Sequence, residues 1–457
     1  MTRVILKIKH GTMQPPPYLD VCFRLITLCV AGFFFGDFPA RAQTAAARAN
    51  DFLNSLGTGG FLDQGASTDK VIHALSYGGW RTARDSAAPS RLIPIHAATG
   101  IKFDVFPAYR WRIPELLARA DALAGAGALL AVEGPNEPNN WPVKYKGRKS
   151  NAGTFGPVAE FQSDLYAAVK ADPKLAGIPV FHCSECGGAE PDNVGLQFLS
   201  IPPGAGTLMP DGTKYADYAN VHNYVCDHLK APIDNAAWDA EDPSLKGRWD
   251  GMVDEYGVTW LKHFAGYPAS ELANLPRVTT ESGWQTSGPT CATSEEKQGK
   301  LLLNLYLDAF KRGWSYTFVY SLQDWNGQTY GFFRKNYTPK LSATYMHNFT
   351  SILADTPRSF IPGSLAYSIE GRTETVHDLL LEKSNGTFEL VIWDERAAGS
   401  DTVKLSFGMP GHRASLYDPT SESATSPIKI FDSSLDETIT LSDHPVIFEI
   451  AAGASNP

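Results

Sequence analysis

The sequence has no basic run. Its 457 residues carry 40 Lys and Arg against 49 Asp and Glu, a formal net charge of -9. With no cationic cluster to neutralise phosphates, a nucleic-acid partner is excluded. Long apolar stretches are also missing after Gly36, and a membrane helix needs ~20 such residues. No internal repeat or low-complexity tract is present, which excludes a solenoid or an extended tail. Cysteine is scarce: there are 6, and two of them, Cys22 and Cys29, fall in the N-terminal segment. The other four are Cys183, Cys186, Cys226 and Cys291. An even set favours disulfides in an exported chain, with three pairings open. His182, His222 and His228 lie close to them in sequence. Together they do not make the two paired halves of a structural zinc site, so no metal and no cofactor is expected.

The N-terminus reads as an address. Arg24 precedes the apolar run Leu25–Gly36, and Ala40-Arg41-Ala42 follows it. This is the pattern of a secretory signal over residues 1–42, implying a secreted or periplasmic protein with no membrane span once the signal is removed. Met13 is an alternative start, and an anchor or a buried helix is the alternative reading of the run.

From Leu53 to about Leu353, short apolar runs alternate with longer amphipathic ones, as βα units do. Eight strands are predicted, at Leu53–Gly57, Trp80–Arg84, Lys102–Phe106, Ala128–Val132, Pro179–His182, Tyr218–His222, Arg277–Glu281 and Tyr316–Leu322. Predicted helices include Asp69–Tyr77, Ile113–Ala124, Phe155–Ala171, Arg248–Ala265, Ser294–Arg312 and Leu341–Leu353. Eight such units close a (β/α)8 TIM barrel, expected over residues 43–355. After Pro357 the texture becomes alternating, with Asn385-Gly386 a hairpin turn between two strand-like runs. That predicts a small antiparallel β-domain, a sandwich over residues 356–457.

The stretch Ala131 to Trp141 is the centre of interest. A buried strand stops at Gly134-Pro135, and Asn136-Glu137-Pro138 follows at once. A second carboxylate, Glu281, ends the β-branched run Val278-Thr-Thr. In a barrel the C-terminal ends of strands four and seven face each other across one cleft. Paired carboxylates there suit glycosidic bond cleavage, one protonating the leaving oxygen and the other attacking the anomeric carbon. A gap of ~5 to 5.5 Å between them would give retention of configuration. Glu133 lies inside the strand and reads as a partner carboxylate rather than the working one.

Three motifs in order, Asn136-Glu137-Pro138, His222-Asn-Tyr224 and Glu281-Ser-Gly-Trp284, resemble glycoside hydrolase clan A. Leu53 to Asp63 followed by Trp80 to Asp85 is similar to bacterial members of family 39 and of the cellulase-like family 5. The resemblance implies Glu137 as acid/base and Glu281 as nucleophile of a retaining enzyme acting on a polysaccharide or oligosaccharide. It further implies Asn136 as a ligand of the sugar 2-hydroxyl, with His222 and Tyr224 orienting the nucleophile and Arg84 holding it as a carboxylate by its charge. Arg81 could take that role instead, and Arg84 could pair with Asp85. Trp141, Trp284 and Trp325 are candidate platforms for sugar rings, whereas Trp314 and Trp393 read as packing. Two departures bear on sugar specificity. Phe103-Asp-Val-Phe106 ends strand three without the histidine that cellulase-like members place there, and Glu281 is followed by Ser-Gly-Trp. The competing hypothesis is a non-catalytic carbohydrate-binding protein on the same scaffold. Oligomeric state is not legible.

Overall fold

Eight short parallel strands close on one another around a narrow apolar interior. They are β1 (Leu56–Gly59), β2 (Thr82–Arg84), β3 (Lys102–Val105), β4 (Leu129–Glu133), β5 (Val180–Phe181), β6 (Ala219–His222), β7 (Arg277–Ser282) and β8 (Trp314–Val319). Neighbours pair in sequence order, β8 pairs back onto β1, and a parallel bridge from Phe181 to Tyr218 links β5 to the start of β6. The computed structural model describes residues 43–107, 112–151, 154–186, 199–207, 209–225, 233–242, 274–288, 292–407, 413–421, 426–432 and 436–451. The expected signal, the helix expected over 248–265, Cys226, His228 and Cys291 lie outside the described residues.

The expected barrel is therefore present, with each strand within a few residues of its predicted place. At β1 the strand starts late, only at Leu56, because Ala49–Ser55 forms helix α1. Phe52 and Leu53 are both fully buried, and these adjacent apolar residues look alike in strand and helix. Helices α2 (Thr68–Gly78), α3 (Pro89–Thr99), α4 (Ile113–Gly125), α5 (Gly156–Ala171), α6 (Ala236–Ala240), α7 (Glu295–Lys311) and α8 (Leu341–Ile352) surround the strands. The Ser294 hydroxyl accepts from the Lys297 N–H and opens α7, as the sequence predicts. Helix α3 was not anticipated, although Pro89 at its start and the left-handed Gly100 after its end are its signals.

Inside the barrel Ala131, Phe181, Val278 and Phe318 pack as one cluster. Gly57 is required there: a Cβ would stand 2.4 Å from the Phe318 ring. Trp314 and Trp393 are buried, 2% and 0% exposed, as packing residues should be.

The C-terminal region is antiparallel. Strands β9 (Ser364–Glu370), β10 (Val376–Glu382), β11 (Phe388–Asp394), β12 (Asp401–Phe407), β13 (Arg413–Tyr417), β14 (Lys429–Asp432), β15 (Asp436–Leu441) and β16 (Val446–Ile450) form two sheets. Their facing sides share a core that includes Leu380, Leu390, Ile392, Leu405 and Phe448. Each sheet also takes a strand from the other end of the described chain. Gln43–Ala45 runs antiparallel to β9, and Ala47–Arg48 runs parallel to β10. No helix among the described residues is long and apolar enough to cross a membrane.

Candidate active site

The site is built where β4 ends. Gly134 lets the chain leave the strand against α5 and the segment after β5: a Cβ there would lie 1.8 Å from Gln162 Oε1 and 2.8 Å from the Cys183 nitrogen. Pro135 O accepts from the Ser184 N–H (3.2 Å), and Glu137 N–H donates to Ser184 O (2.7 Å). Glu137 itself has φ +40°, in the left-handed region. For a residue with a Cβ such backbone costs ~1–3 kcal/mol and collects at functional sites. It is held there by Asn140 and Trp141, whose N–H groups donate to Glu137 O at 2.9 and 2.7 Å.

Strands β2, β4, β6 and β7 then bring their ends together. His222, fully buried, sets Nδ1 2.9 Å from Glu137 Oε1 and 3.5 Å from Glu281 Oε2. The Tyr224 hydroxyl donates to Glu281 Oε2 at 2.8 Å, and Arg84 Nη1 donates to Glu281 Oε1 at 2.7 Å. Glu137 and Glu281 keep 14% and 13% exposure, so both meet the cleft while their partners are covered. One donor atom each from Glu137, His222 and Glu281 lie within 4.8 Å of one another. A cation could bridge such a spacing, but these atoms are already engaged with each other, with Arg84 and with Tyr224.

Arg84 organises the floor. It grips Glu133 through Nε and Nη2 at 2.6 and 2.9 Å, donates to Asn136 Oδ1 at 2.6 Å, and lies 4.1 Å over the Phe106 ring. Phe106 thus stacks on the guanidinium from the end of strand three, where the histidine was sought. Burial disfavours the charge, yet Glu133, Glu281 and Asp104 together hold the guanidinium more firmly protonated than usual. Arg81 is elsewhere, donating to Asn50 and Asn54. Asp85 caps the N–H groups of Leu62 and Ala87 rather than pairing with Arg84.

Electrostatics separates the carboxylates. Burial raises Glu133, but the Arg84 charge and hydrogen bonds bring it below the ordinary value. Asp104 beside it goes well above, first by burial and then by the Glu133 charge. Burial and the Glu281 charge push the Tyr224 hydroxyl well up, keeping it a proton donor. For Glu137, burial works upward, but the hydrogen bond and charge of His222, the Asn140 amide and Arg84 take it down to about 2. That direction is the reverse of what an acid catalyst needs.

The aromatic candidates differ. Trp141 is 48% exposed beside Glu137, whereas Trp284 is 6% exposed and packed in the core, with no open face. Trp325 stacks on Phe61 at 5.3 Å, and its Nε1–H donates to Gln64. Phe61, Tyr320, Tyr330 and Tyr224 continue edge to face from it toward Glu281. Sequence reasoning missed Tyr320, Tyr330, Asp104, Asn220 and Thr280. Only Asp104 carried a signal, an acid within an apolar strand. The Cys183 thiol is buried 3.2 Å from His182 Nδ1.

No protein-family model matches the chain, and no curated protein matches it in sequence. Solved structures do match in fold. A family 39 glycoside hydrolase from Bacteroides cellulosilyticus superposes with TM-score 0.55 at 14% identity, covering 88% of this chain and 82% of its own. A monomeric β-xylosidase from Caulobacter crescentus gives 0.51 at 13%, covering 91% and 99%. A family 30 endoxylanase from Clostridium papyrosolvens gives 0.52 at 10%, covering 91% and 98%. The family 39 resemblance read from the motifs thus extends to the fold of nearly the whole chain.

Proposed function

We propose that this chain is a retaining glycoside hydrolase, with Glu137 as acid/base and Glu281 as nucleophile. The observation that carries the reading is the short gap: carboxylate oxygens of the two residues lie within 4.8 Å. That spacing is of the order of the ~5–5.5 Å of a retaining pair rather than the ~6.5–9.5 Å of an inverting one, and suits direct attack on the anomeric carbon. In the first step Glu281 attacks while Glu137 protonates the leaving oxygen. In the second, Glu137 takes a proton from water as it releases the sugar. Arg84 and Tyr224 hold the attacking carboxylate. Asn136, anchored by Arg84 through Oδ1, turns its remaining polar surface to the sugar 2-hydroxyl. Trp141 and Trp325 supply apolar faces for sugar rings, and no cofactor is used.

The β-xylosidase and the endoxylanase among the neighbours in fold put xylose-based glycans first among substrates to try, with a poly- or oligosaccharide the class. We further infer an exported protein from the apolar run Leu25–Gly36 and its flanks. The barrel of residues 43–355 carries the chemistry and residues 356–457 the β-sandwich. A disulfide that goes with export would lie among Cys186, Cys226 and Cys291, because Cys183 is a buried thiol against His182.

The test is a panel of 4-nitrophenyl glycosides and plant and bacterial polysaccharides, with product anomers followed by NMR. A 2-deoxy-2-fluoro glycoside of the sugar found should add its mass to the peptide bearing Glu281. Glu137→Gln and Glu281→Gln should lose ~10²–10⁴-fold in turnover while still binding glycan. Inverted product, or label on another carboxylate, removes the assignment. Glycan binding without hydrolysis by the unaltered protein favours a binding module.

A further inference from the structure

His222 is completely buried, and each ring nitrogen meets a different problem. Nδ1 faces two carboxyl groups, Glu137 Oε1 at 2.9 Å and Glu281 Oε2 at 3.5 Å, and with both ionised it carries a proton. Nε2 meets the Thr280 hydroxyl at 3.0 Å and no other group among the described residues. If Thr280 accepts there, the ring is an imidazolium; if Thr280 donates, it is neutral. The surroundings of Thr280 decide between them. A hydroxyl has one proton and two lone pairs. Asn220 Nδ2–H donates to Thr280 Oγ1 at 3.0 Å. Two other acceptors stand near the Thr280 proton, Glu133 Oε1 at 3.2 Å and Asn220 Oδ1 at 3.1 Å. Both already have donors, Arg84 Nη2 for the first and the Thr280 N–H for the second. The acceptor without another donor is His222 Nε2.

We propose that Thr280 is a positioning residue for the acid/base catalyst: by donating to Nε2 it fixes His222 as the neutral Nδ1–H tautomer. This rests on the glycoside hydrolase reading of Glu137. In that tautomer Nδ1–H donates to Glu137 Oε1 whether Glu137 is protonated or not. The acidic proton of Glu137 then sits on Oε2, the oxygen that faces Asn140 at 3.2 Å on the exposed side. When that proton passes to the leaving oxygen, the carboxylate is left with its Nδ1–H bond intact, and no proton on the imidazole has to move. An imidazolium in the same place would hold Glu137 as a carboxylate and leave nothing to donate. The charged groups facing His222 are Glu137, from the loop after β4, and Glu281, on β7. Glu133 acts on it through Thr280, with Arg84 behind.

The variants are Thr280→Val, which keeps the shape and removes the hydroxyl, and Thr280→Ser, which restores it. The direct readout is the pair of 15N shifts of His222 in histidine-labelled full-length protein near neutral pH, assigned by their loss in His222→Phe. The unaltered protein should show Nδ1 protonated and Nε2 bare, and Thr280→Val should show both protonated. The kinetic readout uses the aryl glycosides of whichever sugar the panel identifies. Thr280→Val should lose about 10- to 100-fold in kcat on the phenyl glycoside, whose leaving group needs a proton, and far less on the 2,4-dinitrophenyl one. Its alkaline limb in kcat/KM should move to lower pH, because an imidazolium favours ionised Glu137. Thr280→Ser should restore both. Protonated Nε2 in the unaltered protein overturns the proposal, as does equal loss on both glycosides. The NMR result stands whether or not the chain hydrolyses glycans, so its failure and that of the enzyme reading are told apart.

Discussion

At the scale of single residues, Arg84 is the piece on which the others depend. One guanidinium fixes Glu133, Asn136 and Glu281, which come from two strand ends, those of β4 and β7. Glu133 is 0% exposed and Arg84 5%. Removing one partner of such a pair leaves a buried charge uncompensated, at a cost of ~3–5 kcal/mol. Glu133→Gln should therefore unfold at markedly lower temperature and lose activity as Arg84 slackens; calorimetry and kcat on the same preparation measure both. An unchanged melting temperature would mean Arg84 holds its place without Glu133. Asp104 behaves differently. Its carboxyl is raised well above the ordinary value, by burial first and the Glu133 charge second. The native state therefore keeps a proton that the unfolded chain has lost, and stability falls as pH rises above the unfolded value. Asp104→Asn imitates the protonated acid and removes that penalty. Its melting temperature relative to the unaltered protein should rise steadily from acid to neutral pH, and a constant difference would sink the assignment.

At the scale of elements, Gly134 joins the barrel to its chemistry. A methyl group there would meet both the Gln162 side chain and the backbone nitrogen of Cys183. Gln162 cannot retreat, because its amide donates to Phe181 O and Tyr215 O in a fully buried position. Gly134→Ala should cost ~1–3 kcal/mol by overpacking. It should also lower kcat by displacing Glu137, three residues on, which thermal unfolding and steady-state kinetics would register together. The same stretch explains what was legible. Strand ends announced themselves because apolar runs stop at Gly134-Pro135 and at Glu281, and the barrel follows from eight such runs. Helix α1 did not, because Phe52 and Leu53 are adjacent apolar residues and carry no period. The donors around His222 were hidden for another reason. Thr280 and Asn220 are ordinary strand residues whose meaning appears only when β6 and β7 lie side by side. Glu133, by contrast, could be placed from its position inside the strand. Trp284 packs inward, because the residues after β7 are buried.

At the scale of the whole molecule, the barrel and the C-terminal sheets meet over buried acid. Asp308 on α7 accepts from Trp393 Nε1–H of β11 at 2.9 Å, and Glu395 Oε2 accepts from the Trp238 N–H of α6 at 3.1 Å. Glu241, just past α6, is held by the Asn223 amide next to His222, so this junction reaches the floor of the site. Burial drives all three up: Glu241 to about 8, Asp308 well above the ordinary value, Glu395 above it. The sign follows from proton counts. Each group keeps its proton in the native state at a pH where the unfolded chain has lost it, so the native state binds more protons and stability declines as pH rises. The decline begins above the unfolded carboxylate range and continues through about 8, where Glu241 ionises. Asp401, Asp418 and Asp443 are depressed instead, and they withdraw stability only as pH falls below the ordinary carboxylate range. The melting temperature should accordingly peak in mild acid, near about pH 5, and fall toward about pH 8. Glu241→Gln, which keeps a partner for Asn223 without a titrating proton, should flatten part of that fall. Calorimetry across this range decides the matter: a melting temperature that holds level or climbs from mild acid to about pH 8 would show that the acids at the junction are ionised in the native fold. Arg277 and Arg312, whose charges already oppose the effect of burial on Glu241, would then be what holds it ionised.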